Sequence, residues 1–330
     1  LSRTLVLLSR MHALLSLGVA IIVKNAEDTI AQAIQSTLSY ARQIVVVDTG
    51  SSDRTPQICT LLGAEVHFYK WTDNFSDARN HALSHMRTEW ILQLDADEEL
   101  LGFSVEDIQP LLMNPAVGGL QVALQNTLSG GLESVHHYTR LVRRHAQIRY
   151  EGAIHEQIAG SIRSLGLEIV DSPVTILHHG YEANSPEKIE RNAELLRREI
   201  ALHPEDKWLS YHLGLTEFAA KRYEEARALL ESVTSSNELT DEQHETARLR
   251  LAQIALQNGR TTDAGQWLNF TSNDIHREGL RCFILGSCFA LERQFTDAVA
   301  MYSTPAVMAS RLVNQQELHT FKHGISQFLN

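Results

Sequence analysis

Four carboxylates fall within five residues at Asp95-Ala96-Asp97-Glu98-Glu99, directly after the apolar run Trp90-Ile91-Leu92-Gln93-Leu94. An apolar run that short, bounded by charge, reads as a buried strand. If the chain stays extended, Asp95 and Asp97 point to the same side, about 6–7 Å apart. Two such groups can share one hard cation or meet one ligand together. Mg²⁺ sites use one or two protein carboxylates and take further oxygens from phosphate. The same residues could instead form a solvated acidic turn that caps a following helix. Other groups able to do chemistry are Asn25, Asp48, the pair His155-Glu156 and the pair His178-His179.

The elements that must position them follow from hydrophobic patterning. Val19–Val23, Ile44–Val47, Val66–Tyr69 and Trp90–Leu94 are short apolar runs, mostly β-branched or aromatic, that read as strands. Between them lie helical patterns over Glu27–Leu38, Asp53–Leu62 and Phe75–Met86. Asp53 can cap the second of these and Gly63 can end it. Strand and helix alternating through short loops predict a parallel α/β sheet. Ligands of such sheets sit beyond the carboxyl ends of strands. Asn25, Asp48 and Asp95 each fall just past such an end, so one crevice could collect all three. From Gly118 the pattern changes to strands at Val122–Leu124, Tyr138–Val142, Ile148–Tyr150 and Val174–Leu177 with longer loops, expected as a mixed or antiparallel extension.

Pro186 opens a charged helix that runs to about Leu202, and the last third repeats itself. Leu213-Gly214, Leu251-Ala252 and Leu285-Gly286 each precede a second helix. Alanines follow twelve residues after the small residue, at Ala226, Ala264 and Ala298, and Leu230, Leu268 and Tyr302 come four residues later. The periods are 38 and 34, and Thr234–Asn237 absorbs the excess as a loop. This is the tetratricopeptide spacing, with an irregular helical bundle as the alternative. The expected boundaries are a leader of unknown role over 1–16, a sheet domain over 17–182, a linker helix over 183–204 and helical repeats over 205–330. Met11 is an alternative start.

The 330 residues suffice for two domains. A net charge of −11 argues against broad nucleic-acid or anionic-membrane binding. Cys59, Cys282 and Cys288 lack metal-binding spacing and suggest thiols in a reducing compartment, hence a cytoplasmic location. The apolar N-terminal stretch is interrupted by His12 and Ser16, so no transmembrane helix is expected. Asp48-Thr49-Gly50-Ser51 matches the fingerprint of aspartic proteases. That mechanism needs two carboxylates sharing a proton, and no second Asp-Thr/Ser-Gly occurs.

Four stretches together resemble glycosyltransferase family 2. They are Val19–Asn25, Val45–Thr55, Phe75–Asn80 and Leu94–Glu99, in that order. Tyr150–Glu156 and Leu177–Tyr181 resemble the subfamily in which helical repeats follow the transferase, as in bacterial peptide S-glycosyltransferases. The absence of Gln-x-x-Arg-Trp sets the chain apart from processive synthases. The resemblance implies a GT-A nucleotide-diphosphosugar transferase fold, a Rossmann-like mixed sheet followed by an all-α tetratricopeptide-like domain. It implies a metal-dependent, inverting glycosyltransferase with Mn²⁺ or Mg²⁺ as cofactor and a nucleotide-diphosphosugar as donor. A divalent cation would neutralise the diphosphate leaving group. By the family pattern Asp97 binds the metal, and Asp95 reaches the ribose or the metal. Asp48 meets the nucleobase, which favours a uridine or thymidine donor. Asn25, Glu27, Arg79 and Asn80 match pocket positions, though Glu27 could equally serve helix capping or surface pairing. Inversion needs one base to take the acceptor proton. Glu156, beside His155, is the candidate, with Asp97, Glu98 and Glu99 as rivals. His179 is expected to complete the metal shell, against an ordinary hydrogen-bonded role. Arg143 and Arg144 could pair with diphosphate or with surface carboxylates. The acceptor is expected to be a peptide, protein, lipid or glycan, held by the repeats, and a homodimer is allowed. The competing readings are an inert transferase fold acting as a peptide-binding scaffold and a nucleotidyltransferase. The latter lacks its Gly-rich phosphate loop, since Lys24-Asn25-Ala26-Glu27 follows the first strand.

Overall fold

The computed structural model describes residues 16–127, 133–179, 186–310 and 313. The expected leader, apart from Ser16, and the motif residues Gly180 and Tyr181 lie outside the described residues. The chain divides into two compact units, Leu1–Asn184 and Ser185–Asn330.

The first unit is built on one eight-stranded sheet. Its first half alternates β1 (Leu17–Val23), α1 (Ile30–Thr37), β2 (Gln43–Asp48), α2 (Thr55–Leu61), β3 (Glu65–Phe68), α3 (Phe75–Ser84) and β4 (Trp90–Asp95). Every residue of β2 is buried, as expected for a strand covered on both faces. β1 pairs in parallel with β2 on one side and β4 on the other. Asn74 caps α3, its Oδ1 accepting from the Asp77 amide at 3.0 Å.

Then follow β5 (Glu98–Gly102), α4 (Val105–Met113), β6 (Val117–Thr127), β7 (Glu133–Arg143), α5 (Ala159–Ser164) and β8 (Glu168–His178). The strand order is β3-β2-β1-β4-β7-β6-β8-β5. Only Ala96 and Asp97 separate β4 from β5, yet β7, β6 and β8 lie between them in the ladder. Flat, that gap would be four strand spacings, about 19 Å, far beyond two linking residues. The sheet must therefore curl back on itself. That curl brings the end of β8, with His178 and His179, against Asp97, Glu98 and Glu99.

One alternative and one expectation fail here. Glu98–Gly102 is a strand, not a helix-capping turn, because Glu98 and Leu100 face inward in alternation. Ile148–Tyr150 is not a strand. Its backbone is instead held by side chains: Asn80 grips Tyr150 and the Ser161 hydroxyl accepts from the Arg149 amide at 3.0 Å.

The second unit begins with α6 (Pro186–Leu202) and continues as helix pairs. These are α7 (Lys207–Ala219) with α8 (Tyr223–Val233), α9 (Asp241–Gln257) with α10 (Thr261–Trp267), and α11 (Ile275–Leu291) with α12 (Phe295–Tyr302), before α13 (Pro305–Ala309). The small residues sit where helices meet. A Cβ on Gly214 would fall 2.8 Å from the Leu230 side chain, and one on Gly286 would fall 2.7 Å from the Tyr302 ring. The repeat signature is thus a steric requirement. Ala226, Ala264 and Ala298 are fully buried opposite.

Candidate functional site

The carboxyl ends of β1, β2 and β4 lie side by side. Val23 is in register with Asp48, and Ile22 with Asp95. Asp48 and Asp95 thus flank β1, about 10 Å apart at the backbone. Asp48 is 1% exposed. Its Oδ1 accepts from the amides of Gly50 and Ser51 at 2.9 and 2.8 Å, which shapes the loop. Its Oδ2 is buried and has no hydrogen-bond partner among the described residues.

The loops after β1 and β2 are laced together. Asn25 adopts a left-handed backbone, φ 51°. Its amide donates to Ser51 Oγ and its Oδ1 accepts from the Ser52 amide, both at 2.8 Å. Glu27 Oε2 accepts from the Arg54 amide and Nε at 3.0 and 3.1 Å. The Glu27 amide in turn donates to Asp53 Oδ2 at 3.1 Å. Asn25 and Glu27 therefore shape the rim of the crevice. Asn80 clamps the Tyr150 backbone in both directions, at 2.9 and 2.8 Å, away from the crevice floor.

Arg79, on α3, is 8% exposed and joins two sequence-predicted groups. Its Nη1 donates to Asp95 Oδ1 at 3.0 Å and its Nε to Glu156 Oε1. Burial favours a neutral guanidine, but Asp95 and Glu156 outweigh it and raise the pKa of Arg79. Arg140, on β7, holds the other side: Nη1 and Nη2 both reach Asp95 Oδ2 at 3.3 Å, and Nη2 reaches Glu98 Oε1 at 3.3 Å. Against the opposing effect of burial, the two arginines hold the Asp95 carboxyl well below the usual carboxylate range. Glu98 accepts from the Asp95 amide at 2.8 Å, and burial pushes its pKa up to about 7. His155, at φ 53°, is exposed beside Glu156.

At the corner made by the curl, His178 Nε2 lies 3.3 Å from Asp97 Oδ2, and Nδ1 lies 2.9 Å from Asn126 Oδ1. His179 Nε2 lies 2.8 Å from Glu99 Oε2, which also accepts from Gln32 at 2.7 Å. Asp95, Asp97 and His179 do not form a ready-made cage: among the described residues, no group of three or more His, Cys, Asp or Glu side chains is arranged to hold a metal ion. Arg143 and Arg144 lie at the opposite end of the sheet. Arg143 pairs with Glu89 and stacks 4.6 Å over Trp90, and Arg144 bonds the Thr88 carbonyl, so neither meets this crevice.

Arg140 and Gln93 are the cluster members that sequence reasoning missed, and Glu98, considered there only as a rival base, is buried against Arg140. The signal for Arg140 was present: a lone arginine in Tyr138–Val142 needs a buried partner carboxylate. The antiparallel register Leu92↔Leu141 sets it beside Gln93.

An alternating sheet whose strand ends gather Asp48, Asp95 and Asp97, curled shut by an antiparallel ribbon, defines the GT-A class. Residues 18–165 match the family model of glycosyl transferase family 2, and residues 187–238 that of the tetratricopeptide repeat. The chain thus carries a glycosyltransferase family 2 domain followed by a tetratricopeptide repeat, and the repeat match takes in most of α6. It is similar to a TPR repeat-containing protein of Synechococcus elongatus, 31% identical over 61% of this chain and 52% of the relative. It is also similar to the SPbeta prophage-derived glycosyltransferase SunS of Bacillus subtilis, 26% identical over 78% of this chain and 63% of the relative. The chain therefore spans between half and two thirds of these relatives' own lengths. Among solved structures, mannosyl-3-phosphoglycerate synthase from Rubrobacter xylanophilus aligns at 17% identity and TM-score 0.42, over 60% of this chain and 79% of that one. Among the described residues, no helix is long and apolar enough to cross a membrane.

Proposed function

We propose that this chain is a metal-dependent, inverting glycosyltransferase that moves a sugar from a nucleotide-diphosphosugar to a peptide, protein, lipid or glycan acceptor. The observation that carries this reading is Asp48: a buried carboxylate with one unpartnered oxygen, two strands from Asp95, inside a glycosyltransferase family 2 domain. A buried unpaired oxygen is costly, and an imide N–H of uracil or thymine would satisfy it. Asn25 and Glu27 hold the rim that receives the nucleotide. Asp97, 38% exposed on its side chain, and His179, 37% exposed, would hold the cation beside the diphosphate. Oxygen-rich donors with few protein ligands suit Mg²⁺ or Mn²⁺. When bound, the cation neutralises charge developing on the leaving group. Asp95, with both oxygens on arginines, positions Arg79, and Arg79 in turn fixes Glu156. Glu156 is the group assigned to accept the proton of the acceptor nucleophile. The helical repeats are assigned to the acceptor.

Thermal-shift titration with UDP-, GDP- and dTDP-sugars, with and without Mn²⁺, tests this. A bound donor at about 100 times its dissociation constant should stabilise by about 2.7 kcal/mol. Asp48→Asn should weaken the donor about tenfold by setting an amide N–H donor against the base's own N–H in place of an acceptor. Asp97→Ala should abolish the Mn²⁺ dependence. If no sugar nucleotide in the panel binds or is hydrolysed, the proposal fails.

A further inference from the structure

A second cluster of ligand-type side chains lies apart from the donor crevice, where α3 ends against the edge strand β3. His81 and His85 are four residues apart and so share one face of the helix end. Their Nε2 atoms are 3.3 Å apart, and the rings stand at 82° with centroids 4.7 Å apart. His67, on β3, stacks on His85 with centroids 3.6 Å apart and planes 13° from parallel. His67 Nε2 is buried and has no hydrogen-bond partner among the described residues. Tyr69 packs against His81 at 4.9 Å. The backbone is pinned as well: Gln43 donates to the His85 carbonyl at 2.9 Å and accepts from the Arg87 amide at 2.7 Å.

The 3.3 Å separation is informative. Two imidazole nitrogens bound to one tetrahedral Zn²⁺, each about 2.0–2.1 Å from it, lie about 3.3–3.4 Å apart. The Nε2 atoms of His81 and His85 stand at that separation, which without an ion is also that of the hydrogen bond between the two rings. The lone pairs of stacked rings lie in near-parallel planes set apart from one another, so His67 cannot share the same ion without turning. This explains why no three-residue cage closes here. A neutral imidazole is the form that ligates. All three rings are partly exposed, so an ion can reach them.

We propose that His81 and His85 form a binding site for a borderline transition-metal cation such as Zn²⁺, with water completing the shell and His67 bracing the His85 ring. The donor set separates it from the crevice, since imidazole pairs select Zn²⁺, Ni²⁺ or Cu²⁺ whereas carboxylates and phosphate suit Mg²⁺ and Mn²⁺. The ion would fasten the end of α3, the helix that carries Arg79.

Zn²⁺ titration of the full chain by calorimetry, in excess Mg²⁺ to occupy oxygen-rich sites, tests the assignment. One Zn²⁺ equivalent is expected, weakened at least tenfold in His81→Gln and in His85→Gln. Cu²⁺ loaded in its place should give an electron paramagnetic resonance spectrum with hyperfine structure from two nitrogens. His67→Phe keeps the stack and should keep the Zn²⁺ equivalent. Unchanged melting of the metal-free variants verifies their fold. Equal Zn²⁺ uptake by the parent chain and both glutamine variants would overturn the site, and loss of Zn²⁺ in His67→Phe would overturn the two-ligand assignment.

Discussion

Glu98 in the sheet unit and Glu217 in the helical unit are both carboxylates whose side chains are 2% exposed, and their surroundings differ in kind. Glu217 is held by Arg197 at 2.6 Å and by Arg222, whose side chains are 44% and 31% exposed, and Glu190 pairs with the same two arginines. Two carboxylates thus meet two cations that water can still reach. Glu98 shares Arg140, 14% exposed, with Asp95, while Asp95 and Glu156 share Arg79, 9% exposed. Three carboxylates therefore meet two buried cations, with Asp97 and Glu99 adjoining. The helical cluster is neutralised and acts as a staple between α6, α7 and the start of α8. The sheet cluster is left short of positive charge at the strand ends where a cation and a diphosphate are proposed to bind.

The contrast is broken or sharpened most strongly at Arg140. Arg140→Met removes the arginine of the cluster that reaches Glu98 and leaves Asp95 with Arg79 and the neutral Gln93 amide. Stranding a buried charge in this way costs about 3–5 kcal/mol. Urea unfolding, with hydrogen exchange resolved at β4 and β5, should show that loss at pH 7.5. It should shrink at pH 5.5, because Glu98, with its folded-state pKa raised to about 7, then carries a proton. A loss below about 1 kcal/mol at pH 7.5 would put the two clusters on the same footing. Glu217→Gln should cost less, about 1–2 kcal/mol, since Arg197 and Arg222 can turn to water. Equal losses from the two substitutions would remove the distinction between staple and site.

The sequence made half of this arrangement readable. β1, β2 and β4 are apolar runs that only a doubly covered parallel sheet would use, and Asp48 and Asp95 mark their ends. The repeats were readable because Gly214 and Gly286 answer to sterics. What could not be read was whatever depends on the curl. Glu98 looked like a solvated acid because nothing local shows that Arg140, forty-two residues later, arrives to pair with it. Asn80 fits a nucleotide-pocket motif, yet its amide is spent on the Tyr150 backbone, which is why Ile148–Tyr150 needs no ladder. Arg143 and Arg144, weighed equally for diphosphate or surface pairing, lie at the end of β7 away from the crevice, since β7 runs antiparallel to β4.

The smallest effect is expected at the rim of the sheet cluster, where His178 meets Asp97. The hydrogen bond to Asp97, acting against burial, raises the pKa of His178 above its ordinary 6.5. The folded state thus binds the proton more tightly than the unfolded state. The pair's contribution is full below the unfolded value and is lost as pH rises through the raised folded value. Asp97 is 38% exposed, so solvent screening limits the contribution to below about 1 kcal/mol. Asp97→Asn keeps the shape and removes the charge. Against the parent chain it should be less stable at pH 5.5 and indistinguishable at pH 8.5, read from urea midpoints without added metal. A gap of the same size at both values would mean that the imidazole is neutral in the fold. A gap as large as that of Arg140→Met would mean that burial, rather than the count of cations, decides what these carboxylates cost.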